Sequence, residues 1–126
     1  MSVEVDGKTF DAMVQKAIAS LPQKFRNALD VVRVEVRDRP TSMQLESVGL
    51  TEEELLLGLY EGVPLIERTV NDAPRPPDVI YLFREDLEDA CDEVGQLEEE
   101  VRVTLLHELG HYFGFDEDEL ERLGYG

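Results

Sequence analysis

A chain of 126 residues, 42% of them apolar, is long enough to bury a core of its own and too apolar for a disordered segment. Its 29 acidic residues against 12 basic ones give a net charge of −17. That field repels phosphate backbones and anionic membrane surfaces, so neither nucleic acid nor membrane is expected as a partner, and it attracts basic peptides. No apolar run approaches the roughly 20 residues that span a bilayer, and the start "MSVEVDGKTFDAMV" does not read as a signal peptide. The expectation is one domain, 1–126, in the cytoplasm. The lone Cys91 has no partner for an internal disulfide. Beside Asp89, Asp92 and Glu93 its thiolate is disfavoured, so a buried, inert thiol is expected.

In chain order, "KTFDAMVQKAIASLPQKFRNAL" places Phe10, Met13, Val14, Ala17, Ile18 and Leu21 at helical spacing. Pro22 falls near the end of that helix, and a further turn follows through Phe25 and Leu29. "VVRVEVRDRP" alternates Val32, Val34 and Val36 with Arg33, Glu35 and Arg37, the pattern of a half-buried strand stopped by Pro40. "PTSMQLESVG" reads as a short helix ending at Gly49. Thr51 and Glu54 have capping-box spacing, which predicts a helical turn from 51. Residues 56–61 read as a strand with a turn at Gly62 and Pro64, "NDAPRPPD" as a proline-rich loop, and "VIYLFR" (79–84) as a buried strand. The acidic stretch "EDLEDACDEVGQLEEE" predicts a solvated helix or helix pair broken at Gly95.

The segment from Gln96 to Phe113 carries the chemistry. Glu98, Glu99 and Glu100 are expected in the first turn of a helix, where carboxylates favour the macrodipole. Gly114 stands where a C-capping glycine belongs. In "HELGHYFG", His107 and His111 are i, i+4, so both rings leave one face of that helix and can bind one tetrahedral Zn²⁺. Glu108 is one step round the helix. It is poorly placed to ligate beside both histidines and well placed to act as general base on a zinc-activated water. Two surface histidines are the ordinary alternative. Against it, both histidines of the chain lie in the motif, in surroundings so apolar that unliganded rings would be costly. For the third ligand, a turn at glycine returns the residue three positions later to the metal, here Glu117. Asp116 and Asp118 flank it. Glu117 is the expected ligand and Asp116 the next choice, although Asp116 also suits a helix N-cap.

On these residues the chain resembles the minimal zincin family, small bacterial proteins described as zinc metallopeptidases. Besides "HELGHYFG", the resemblance runs through "SLPQKFRNALDVVRVEV", "LLGLYEGVPLIER" and "PDVIYLFR", nearly the whole chain. It implies an α+β fold, a compact core with a small mixed sheet packed on an active-site helix and a backing helix. It implies zinc at His107 and His111 with Glu108 as general base. The family's usual third ligand is Asp where this chain has Glu117. The methionine turn of metzincins is not expected, since Met1, Met13 and Met43 all lie upstream of the motif.

The function so read is hydrolysis of a peptide or protein, of basic character given the charge. Tyr60, Tyr81 and Tyr112 are candidates for stabilising the oxyanion. An edge strand, "LGLYEG" or "VIYLFR", is expected to hold the substrate by β-addition. Two other classes compete. Endonucleases of rRNA maturation have a related helix-glycine pattern, but lack the glutamate and carry histidine in place of Glu117, and −17 is a poor charge for RNA. A non-catalytic zinc-containing protein-binding module is the other.

Overall fold

A computed structural model describes residues 2–64 and 78–124 of the chain. The proline-rich stretch expected as a loop lies, but for Asp78, outside the described residues, as does the end of "LLGLYEGVPLIER". Helix α1 spans Gly7–Ala19 and starts at Asp6, whose carboxylate accepts from the Thr9 N–H at 2.7 Å. Its stripe of Phe10, Met13, Val14 and Ala17 is buried. Pro22 stands as N-cap of a short α2, Gln23–Ala28, which buries Phe25 and Ala28. Strand β1 is Val32–Arg37. Helix α3, Ser42–Ser47, begins with a true capping box between Thr41 and Gln44 and ends at Gly49, φ 75°. The box expected at Thr51 makes a turn and no helix: the Glu54 N–H reaches the Thr51 carbonyl at 3.1 Å and its carboxylate folds back on the Thr51 N–H at 3.1 Å.

Strand β2 is Gly58–Glu61, shorter than the 56–61 expected, and β3 is Asp78–Phe83. The sheet has the order β1-β3-β2, with β3 parallel to β1 and antiparallel to β2. β3 is therefore central, hydrogen-bonded on both sides, which explains its nearly continuous burial. It also corrects one expectation: "VIYLFR" cannot receive a further strand, whereas "LGLYEG" lies at an edge among the described strands.

Helix α4, Arg84–Asp89, leaves β3 directly, and α5 runs Val94–Phe113. The break falls at 90–93 and not at Gly95, which is inside α5 with open space where its Cβ would be. Glu98 to Glu100 consequently sit one turn deeper than expected, and the first turn carries no acid. The 20-residue α5, about 30 Å long at 1.5 Å per residue, packs against α1, α2, α4, β2 and β3. Leu97, Val101, Leu105, Leu106 and Leu109 are fully buried along it. The architecture is the expected α+β arrangement, a small mixed sheet and a backing helix, α1, on one central helix. Among the described residues no helix is long and apolar enough to cross a membrane.

The acidic α4 is not simply solvated. Asp86 and Glu88 are 2% and 4% exposed. Asp86 pairs with Arg39 at 2.8 Å and accepts from the Leu56 N–H at 3.0 Å. Glu88 accepts from the Val5 N–H at 2.9 Å. These bonds fasten the N-terminal segment and the approach to β2, and they meet the requirement that buried carboxylates be satisfied. Cys91 is buried as expected; burial, then Glu100 and Asp92, push its thiol pKa up.

Candidate metal centre

The site is built from the last turns of α5, the turn after it and β2, the strand at an edge among the described residues. α5 ends at Gly114, φ 92°, a left-handed position that glycine takes without a Cβ clash. The Phe115 N–H then closes on the Gly110 carbonyl at 2.9 Å. This reversal starts α6, Glu117–Arg122, at once. Asp116 is its N-cap: the carboxylate accepts from the Glu119 N–H at 2.8 Å, and Glu119 returns the contact to the Asp116 N–H at 3.3 Å. Glu117, the first residue of α6, is thereby turned back over α5. Leu120, fully buried, anchors α6 on α5 at Gly110, where a Cβ would stand 2.2 Å from Leu120 Cδ2. The second variable position of the His-Glu-x-x-His motif is glycine because α6 lies on it.

Three side chains converge. His107 Nε2 and His111 Nε2 are 3.1 Å apart. The Glu117 carboxylate bridges them, Oε1 at 3.0 Å from His111 Nε2 and Oε2 at 3.4 Å from His107 Nε2. Donors at about 2.0–2.2 Å from a tetrahedral ion stand about 3.3–3.5 Å from one another; the three spacings here, 3.0, 3.1 and 3.4 Å, come within about 0.3 Å of that, so a small outward shift of the donors accommodates one shared cation. Two imidazoles and a carboxylate also form a donor set suited to zinc among divalent ions. The histidine side chains are 21% and 29% exposed and Glu117 is 71% exposed, so the centre is open on one side. Asp116 is occupied as a cap and does not join this cluster.

Glu108 stands beside these donors in a different setting. It is 8% exposed. Its Oε1 accepts from the Tyr60 N–H at 2.8 Å, and its Oε2 is 4.0 Å from His107 Nε2. By proximity alone Glu108 could be grouped with the histidines as a third ligand, since its donor atom lies within 4.8 Å of theirs. The shorter Glu117 distances and the bond to Tyr60 argue otherwise. Burial raises the Glu108 carboxyl above its usual range, opposed by His111, His107 and the Tyr60 N–H.

Tyr60 thus enters through its backbone, a role that no side-chain pattern announces. Gly58 makes it possible: a Cβ there would lie 2.6 Å from Thr104 Cγ2 and 3.4 Å from Glu108 Cγ, so only glycine lets β2 come this close to α5. The three tyrosine candidates are placed differently. Tyr81 stacks on Phe83 beneath Arg37, at 6.1 and 5.4 Å. Tyr112 is buried and meets the Tyr60 ring edge-on at 6.0 Å. The Tyr60 hydroxyl points toward Gly62, where a Cβ would stand 2.7 Å from it.

No curated protein matches the chain. The profile of zincin-like metallopeptidases matches residues 29–126, from the end of α2 through β1, the sheet, α5 and α6. With that match over more than half its length, and with the helix-borne His-Glu-His cluster just described, the chain belongs to the zincin-like metallopeptidase family.

Proposed function

We propose that the protein is a zinc-dependent peptidase in which His107, His111 and Glu117 hold the ion and Glu108 is the general base. The observation that carries this reading is the division of labour between the two glutamates. Glu117 spans both imidazole nitrogens at 3.0 and 3.4 Å, while Glu108 is held off at 4.0 Å by its bond to Tyr60. A bound zinc ion supplies Lewis-acid polarisation of a carbonyl and acidification of water. The chain's own part is proton handling and orientation. The Tyr60 N–H fixes Glu108 Oε1, which leaves Oε2 to take a proton from the attacking water and deliver it to the departing amine. Substrate peptide lies against β2, the edge strand that reaches the site, and the net charge of −17 favours basic chains.

One observation favours a second reading, a zinc-containing binding module without catalysis. The Glu108–Tyr60 bond also ties β2 to α5, a structural use that would retain a buried glutamate in the absence of chemistry. Glu108→Gln separates the two, because the amide oxygen still accepts from Tyr60. The variant is expected to fold and to bind zinc like the parent. In a peptide-library digestion read by mass spectrometry, its cleavage should fall by at least about a hundredfold, the usual scale of general-base catalysis. Equal cleavage by both proteins would remove Glu108 from the mechanism. No cleavage by either would favour the binding module.

A further inference from the structure

A cavity of about 220 Å³ adjoins the proposed catalytic residues, with His107 and Glu108 in its lining. Leu56, Leu57 and Gly58 form one wall, and Val103 and Thr104 of α5 the other. Glu100 completes it. Glu100, Val103, Thr104 and His107 are spaced i, i+3, i+4, i+7, one stripe of α5. Glu100 therefore lies seven residues, about 10 Å along the axis at 1.5 Å per residue, from His107. The cavity has the histidine at one end, aliphatic walls between, and a carboxylate at the other.

Size limits the occupant. An apolar cavity of about 150 Å³ takes one benzene ring, so this one takes a single long side chain and not a whole ligand. Charge narrows it further. The neighbouring acids have cations of their own: Glu98 pairs with Lys16 at 3.3 Å and Glu99 with Arg102 at 3.2 Å. Among the described residues none pairs with Glu100, although it is half-buried against the apolar wall. A half-buried carboxylate at the end of an aliphatic slot is complementary to an aliphatic stem with a cationic head.

We propose that this cavity is the specificity pocket of the peptidase and receives a lysine or arginine side chain flanking the scissile bond, its stem between Leu57 and Val103 and its head on Glu100. This rests on the peptidase reading above for the word specificity, but the pocket is testable by binding alone. The probes are three peptides identical except for lysine, norleucine or glutamate at one central position. Each is titrated into zinc-loaded Glu108→Gln protein, followed by calorimetry and by the methyl NMR signals of Leu57 and Val103. The lysine peptide is expected to bind about tenfold tighter than the norleucine peptide, as for one charge-assisted hydrogen bond, and to shift those methyls. The glutamate peptide should bind weakest. Adding Glu100→Gln should erase the lysine preference and leave norleucine affinity unchanged. Norleucine binding as tightly as lysine, a lysine preference that survives Glu100→Gln, or methyl signals unmoved by all three peptides would each overturn the proposal. Because no cleavage is read, a protein that prefers lysine in this way yet hydrolyses nothing would count against the peptidase reading and leave the pocket standing.

Discussion

Asp116 and Glu117 are adjacent carboxylates with different work to do. Asp116 caps α6, and Glu117 faces both histidines. Under the proposed ligand set, Glu117→Ala should weaken zinc binding at least tenfold, while Glu117→Asp should keep the metal with a modest loss. Asp116→Ala should cost mainly fold stability, about 0.5–2 kcal/mol for a lost N-cap. Zinc titration with chemical denaturation of the three variants checks this. A large affinity loss in Asp116→Ala beside an unaffected Glu117→Ala would shift the ligand by one residue. The convergence of these residues was legible in the sequence. The i, i+4 histidines share a face whatever the tertiary structure, and Gly114 with the spacing of Asp116 and Glu119 marks a chain reversal followed by a capped helix. The Tyr60 contact was not legible. A backbone N–H has no sequence signature, and this one acts across 48 positions.

At the scale of elements, the placement of Glu117 depends on how α6 seats on α5. Gly110→Ala should therefore affect both stability and metal. The new Cβ would stand 2.2 Å from Leu120 Cδ2, and Leu120 is fully buried with nowhere to retreat. A loss of about 1–3 kcal/mol, the usual cost of overpacking, is expected in denaturant unfolding, together with weaker zinc binding as α6 is displaced. Unchanged zinc affinity despite the stability loss would show that Glu117 does not need this seat. Helices α1 and α5 and strands β1 and β3 were readable because each buries a face or a whole strand, and burial writes a period into the sequence. The misread elements turned on partners remote in the chain. Gly95 continues α5, where Leu97 and Val101 are fully buried, and that packing outweighs the roughly 1 kcal/mol cost of a helical glycine. Asp86 and Glu88 looked solvated, but Arg39 and the Leu56 and Val5 N–H groups satisfy them from elsewhere. Thr51 had the spacing of a capping box but no periodic apolar run behind it, and it forms a turn.

For the molecule as a whole, the sheet order β1-β3-β2 is the feature that puts β2 at an edge among the described strands, beside α5, and no local pattern reveals it. Strand order is set by which faces can be buried together, a property of the assembled core. The family match begins at Leu29, yet α1, which precedes it, supplies Phe10, Met13, Val14 and Ala17 to the core against α5. The helix that carries the site is thus supported from outside the matched region as well as within it. Under the proposed function, this scaffold holds a single metal centre at His107, His111 and Glu117. Direct metal analysis tests it best, with zinc counted per chain after loading and exhaustive dialysis of the parent and of the His107→Ala, His111→Ala double variant. One zinc per parent chain and none in the folded double variant is the expected result. Zinc retained by the double variant, or none bound by the parent, would contradict it.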